Sequence, residues 1–129
     1  MITKKDKWSW FKKFGYAFRG IYVSLKEESS LVVHFVIGTI VMVLGIILNS
    51  EMSYTDWCIV VLLVAIIISM ELLNTAIENI IDVVMFEYNV NAKKIKDISA
   101  AATLVLTIAS VVIGLVIFIP KIIDVFQTW

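Results

Sequence analysis

Residues 57–85 read WCIVVLLVAIIISMELLNTAIENIIDVVM. From Trp57 to Met70 the stretch is uncharged, and it continues through Leu72, Leu73, Ala76 and Ile77. Crossing the hydrocarbon of a bilayer takes about 20 mostly apolar residues, so this run is long enough to span. Within it, Glu71, Asn74, Glu78 and Asp82 follow one another at helical intervals and share one narrow stripe. Leu73, Ile77, Ile80, Ile81 and Val84 form the opposite face. A charged side chain at membrane depth costs about 2.5–3.5 kcal/mol on insertion scales, and such residues usually serve a function. Membrane packing alone does not explain the stripe.

Depth divides it. With the span starting near Trp57, Glu71 lies about 21 Å along the axis at 1.5 Å per residue. That is short of the roughly 30 Å of hydrocarbon, so Glu71 is expected just beneath the interface, level with a lipid head group. Glu78 is about 10 Å further out. One carboxylate can meet a lipid hydroxyl and the other a water-soluble reactant. Asp82 and Glu87 are expected beyond the hydrocarbon, where solvating the helix end is role enough for Asp82.

Outward from this run, 31–49 and 98–119 are two further spans, the first interrupted by His34 and the second closed by Pro120 as a helix end. Residues 50–56 form a short polar connection, and a longer charged one runs from about Phe86 to Asp97. The 60% hydrophobic content and mean hydropathy of +0.95 exceed what a soluble core can use. A chain of 129 residues is one domain, 1–129. Cys58 is the only cysteine, which excludes an internal disulfide, and is read as a small packing residue. The first apolar run begins only near Leu31, after a basic, aromatic N-terminus, so no cleaved signal peptide is expected.

Eleven basic residues balance eleven acidic ones, so net charge points to no partner and no nucleic acid is expected. Their placement sets the topology. Lys4, Lys5, Lys7, Lys12, Lys13, Arg19 and Lys26 precede the first span, and Lys93, Lys94 and Lys96 separate the second from the third. The first connection has none, and the tail has only Lys121. By the positive-inside rule the N-terminus and second connection are cytoplasmic, with the C-terminus outside, in a cytoplasmic (inner) membrane. Before the first span, about 8–28, Phe11, Phe14, Phe18, Ile21, Tyr22 and Leu25 recur at helical spacing, with Lys12, Tyr16 and Arg19 opposite. This is the pattern of an amphipathic helix on the membrane surface.

Glu27 and Glu28 end that helix, Glu87 and Asn89 follow the stripe, and Lys96-Asp97 open the third span. Carboxylates with a lysine at one membrane face suit Mg²⁺-dependent phosphate chemistry, because Mg²⁺ binds through one or two carboxylates plus substrate phosphates. Glycines occur only at 15, 20, 38, 45 and 114, so there is no P-loop, and scattered side chains must hold any nucleotide.

Glu71-Leu-Leu-Asn74-Thr-Ala-Ile-Glu78-Asn-Ile-Ile-Asp82 resembles the E-x-x-N-[ST]-A-I-E-x-x-x-D signature of the prokaryotic diacylglycerol kinases and their undecaprenol-kinase relatives. Glu87-Tyr88 and Lys96-Asp97 follow at the family's spacing, and Tyr16, Gly20 and Glu28 fall where the family would put them. The resemblance implies an all-α integral membrane enzyme with three spans and a surface helix, working as a homotrimer. It implies transfer of the γ-phosphate of ATP to a membrane lipid hydroxyl: diacylglycerol to phosphatidic acid, or alternatively undecaprenol to undecaprenyl phosphate. Glu71 would be the catalytic base with Asn74 beside the reacting groups, and Glu28 and Glu78 the Mg²⁺ carboxylates. Lys12, Tyr16, Glu28, Glu78, Glu87, Tyr88, Asn89, Lys96 and Asp97 would line the site of the co-substrate ATP. Three thin helices cannot enclose both reactants alone, which also favours sites shared between subunits.

The chain departs from the family's pattern in places. Ser30 stands where some members have Asn, and Ala100 where others have Ser, with Ser99 alongside. Lys12 is chosen over Lys13 for the basic position of the surface helix. His34, a lone histidine at a span's end, is read as structural. A non-enzymatic membrane protein is the rival class. A holin needs no such cluster, and a proton carrier needs one deep carboxylate rather than a ladder.

Overall fold

The computed structural model describes the backbone of residues 4–85, 87 and 89–128, and the side chains of these from residue 9 onward. Four α-helices follow in order: α1 (Lys4–Glu27), α2 (Ser29–Ile47), α3 (Tyr54–Val84) and α4 (Val90–Gln127), with a 3₁₀ turn at Asn49–Glu51 between α2 and α3. Of these, α2, α3 and α4 are long and apolar enough to cross a membrane.

Each junction has a local cause. A single extended residue, Glu28 (φ −116°, ψ 109°), separates α1 from α2. At the start of α3, Ser53 and Asp56 form a capping box, each side chain accepting the other's backbone N–H at 3.1 and 3.0 Å. Asn89 caps α4 by accepting the N–H of Asn91 at 2.8 Å.

Four expectations need correction. The helices outrun the apolar runs that announced them, because polar termini are capped rather than unwound. The N-terminal helix reaches back to Lys4, and the run 98–119 lies inside a helix of 38 residues. The second connection is accordingly short: Lys93, Lys94, Lys96 and Asp97 stand on the first turns of α4, not in a loop. Pro120 does not end α4, which runs on to Gln127. One residue on, Lys121 donates its Nζ–H to the Ile117 carbonyl at 3.0 Å. Cys58 is exposed rather than packed into the interior of its chain.

The buried core gathers at one end, where Leu48, Val60, Ile117 and Phe118 meet. There Trp57 Nε1–H donates to Asn49 Oδ1 at 3.1 Å, and Lys121 Nζ pairs with Asp56 Oδ2 at 3.1 Å. Close approach of α2 to α3 depends on Gly45, where a Cβ would come within 2.8 Å of the Trp57 ring. The chain exposes 9879 Å², against about 6,900 Å² for a compact soluble monomer of its mass. Ile40, Val43, Ile46, Ile47, Val105, Val112 and Val116 all face outward. That excess suits a chain whose solvent is lipid. On α1, Phe11, Phe14, Phe18 and Tyr22 are exposed, with Trp10 edge-on to Phe11 and Phe14 and Lys26 over the Tyr22 ring.

Candidate functional site

Opposite the core end, the stripe of α3 meets α2 on one side and α4 on the other. Glu71 is only 5% exposed, the one buried acidic residue among those described. Ser30 of α2 donates its hydroxyl to Glu71 Oε2 at 3.2 Å. One turn further along α2, His34 brings Nδ1 to 3.6 Å from Glu71 Oε1. The same Nδ1 hydrogen-bonds the Ser30 carbonyl at 2.8 Å. A carboxylate at this burial is costly without such partners.

One turn toward the helix end, Asn74 links the carboxylates to α4. Ser99 donates its hydroxyl to Asn74 Oδ1 at 2.7 Å, and Asn74 Nδ2–H faces Glu78 Oε1 at 3.5 Å. Asp82 holds the ammonium of Lys96, tying the end of α3 to the start of α4. Lys96 stands outside the apolar run 98–119. Its pKa is raised, first by that hydrogen bond and also by the charges of Asp82 and Glu78, so it stays cationic. Asp97 pairs with Lys93 at 2.6 Å along the helix. It also lines, with His34, Glu71, Ala100, Ala101, Thr103, Leu104 and Thr107, a cavity of about 510 Å³.

Of the residues picked out in the sequence, Glu71, Asn74, Glu78, Lys96 and Asp97 are thus brought together. Asp82 braces the two helices. Glu28 sits half-buried at the α1–α2 break, and among the described residues its carboxylate has no protein donor. Lys12 and Tyr16 are exposed on α1, with no hydrogen bond or ion pair to the cluster among the described residues. Glu87 is exposed in the connection, and Asn89 serves as the cap of α4. Tyr88 lies outside the described residues. Sequence reading passed over three members: His34, Ser30 and Ser99. Ser30 and Ser99 were visible only as departures from a pattern, and His34 only as a lone polar residue in an apolar helix.

Among the described residues, no three His, Cys, Asp or Glu side chains are grouped to hold a metal. The donors that the chain does offer, Glu28 and Glu78, are hard carboxylate oxygens largely free of protein partners. That set fits a divalent cation which arrives with phosphates supplying its other ligands.

The described residues thus place a buried carboxylate, held from α2, on the same helix stripe as an amide that links α4 to Glu78. Over residues 15–118 the chain matches the family described as prokaryotic diacylglycerol kinase. It belongs to that family and is a lipid kinase, a multi-pass membrane phosphotransferase. It is 38% identical over 111 residues to undecaprenol kinase of Bacillus subtilis (strain 168), covering 86% of this chain and 89% of that one. It is 28% identical over 112 residues to diacylglycerol kinase of Synechocystis sp. (strain ATCC 27184 / PCC 6803 / Kazusa), 86% of this chain and 63% of that one.

Proposed function

We propose that the protein transfers the γ-phosphate of ATP to the terminal hydroxyl of a polyprenol lipid such as undecaprenol. Glu71 acts as the base that takes the hydroxyl proton. The observation that carries the reading is the buried carboxylate itself, gripped from α2 and followed on the same stripe by Asn74 and Glu78. Similarity to an undecaprenol kinase at 38% over nearly the whole of both chains favours the polyprenol acceptor. Diacylglycerol, the acceptor expected first from the sequence, stands second, on 28% identity to a longer chain.

Phosphoryl transfer asks a protein mainly for positioning and charge neutralisation. Glu71 accepts the proton, and Asn74, held by Ser99, keeps the carboxylates at either side of it in register. Asp97, which lines the cavity of Glu71, and Lys96, paired with Asp82, would meet the phosphates and their ligands, while Tyr16, Glu87, Tyr88 and Asn89 would complete the nucleotide side. Glu28 and Glu78 would hold Mg²⁺, which when bound neutralises phosphate charge during transfer. Among the described residues Lys12 and Tyr16 make no hydrogen bond or ion pair to their own chain's cluster, which supports a homotrimer in which α1 of one subunit serves its neighbour. The N-terminus and the α3–α4 connection then face the cytoplasm, where ATP is.

The test is a mixed-micelle assay with Mg²⁺ and ATP, offering undecaprenol and dioleoylglycerol side by side. Faster phosphorylation of undecaprenol is expected; preference for dioleoylglycerol would reverse the assignment of acceptor. Glu71→Gln should lose at least about a thousandfold in kcat with helicity and oligomeric state intact, an order typical of losing a general base. A Glu71→Gln variant of full activity would remove the base.

A further inference from the structure

Glu71 is held from α2, and the two residues that hold it are not equivalent. Ser30 and His34 stand one turn apart on the same face, so one carboxylate oxygen meets each: Oε2 the Ser30 hydroxyl, Oε1 the imidazole. A backbone carbonyl can only accept, so the 2.8 Å contact of His34 Nδ1 with the Ser30 oxygen requires the proton on Nδ1. Nδ1 itself lies 3.6 Å from Glu71 Oε1, a polar contact without a hydrogen bond, and the ring cannot turn over without abandoning the Ser30 carbonyl. No partner engages Nε2 among the described residues.

His34 also stands at a boundary. An apolar cleft of about 400 Å³ runs along α2, α3 and α4 and is lined at one end by His34 and Thr107. Those two residues also line the cavity that contains Glu71 and Asp97. The imidazole is therefore where apolar lining gives way to the carboxylate. A half-buried histidine with a purely packing role has no need to face a buried carboxylate there.

We propose that His34 is a positioning residue for phosphotransfer. With Nδ1–H donated to the Ser30 carbonyl, the imidazole is locked beside Oε1 while the Ser30 hydroxyl holds Oε2, and together they fix the plane of the Glu71 carboxylate so that one oxygen faces the acceptor hydroxyl. The inference rests on Glu71 being the base. A base must lie within about 3 Å of the proton that it takes, and a carboxylate free to rotate meets that condition only part of the time.

Substitutions that separate the two ring nitrogens test it. Asn places an amide nitrogen where Nδ1 stood, Gln places one where Nε2 stood, and Leu supplies bulk without a donor. In the micelle assay at saturating lipid, His34→Leu is expected to lower kcat at least tenfold with the KM for ATP within twofold of wild type. His34→Asn should recover a third or more of the wild-type kcat, and His34→Gln should not. A His34→Leu enzyme with wild-type kcat overturns the proposal, as does Gln rescuing as well as Asn. Should the Leu variant fail to assemble, the Asn–Gln comparison decides alone. Glu71→Gln separates the two levels: if that variant is active the base assignment fails, and if it is dead while His34→Leu is fully active only the role of His34 fails.

Discussion

Asn74 stands between two carboxylates and accepts from Ser99 on a neighbouring helix. An amide that donates one way and accepts the other has its orientation set by that serine. Removing the hydroxyl leaves a part-buried carbonyl oxygen without its donor, a cost of about 1–3 kcal/mol. Ser99→Ala is therefore expected to lower kcat by about fivefold to tenfold with little change in the KM for ATP, measured by steady-state kinetics in micelles. An unchanged kcat would mean that Asn74 keeps its place without α4. Ser99, noted in the sequence only as the neighbour of Ala100, supplies the hydroxyl that holds Asn74.

At the scale of elements, the far end of the bundle is where packing is tight. Gly45 lets α2 approach the Trp57 indole, which Asn49 holds by a hydrogen bond, so the ring cannot easily yield. Gly45→Ala should destabilise the fold by about 1–3 kcal/mol, read as a lower thermal midpoint in detergent. Gly114→Ala, which meets nothing within 4 Å, should be neutral or stabilising. Asp56 caps α3 and pairs with Lys121 across to α4. Its pKa is lowered, chiefly by the Ser53 backbone N–H and then by Lys121. A lowered carboxyl stabilises fully above the unfolded pKa of about 3.9 and loses that contribution as pH falls through the folded value. Asp56→Asn should thus cost about 1 kcal/mol at neutral pH, and the difference from wild type should vanish only in the acid range. A difference that persisted undiminished at pH 3 would show that the charge of Asp56 contributes nothing.

For the whole molecule, the outward apolar surface and the lack, among the described residues, of a hydrogen bond or ion pair from Lys12 and Tyr16 to the cluster point the same way. If α1 completes a neighbour's site, Tyr16→Ala and Glu71→Gln subunits, each inactive alone, should regain activity when refolded together, because some mixed sites carry neither change. Mixtures as inactive as their components would place α1 and Glu71 of one subunit in the same site. The assay needs co-refolding in micelles followed by turnover with ATP and lipid.

The membrane class, the three spans and the stripe were legible in the sequence because each follows from local periodicity and from the cost of burying charge in lipid. Residues 71–82 carried the family signature in a single helix, where spacing alone defines which side chains share a face. Helix ends were misjudged at Pro120 and at residues 90–97 because hydropathy records what lipid tolerates, whereas caps and neighbouring side chains decide how far a helix continues. Only the tertiary structure brought Ser30 and His34 of α2 to the two oxygens of Glu71, and Ser99 of α4 to Asn74. These contacts join residues 25 to 41 positions apart in the chain, and they exist because three helices pack at one depth. No local pattern in the sequence encodes which residues of separate helices will share that depth. The sequence alone thus determined that a carboxylate interrupts an apolar helix, and the packing decided what holds it there.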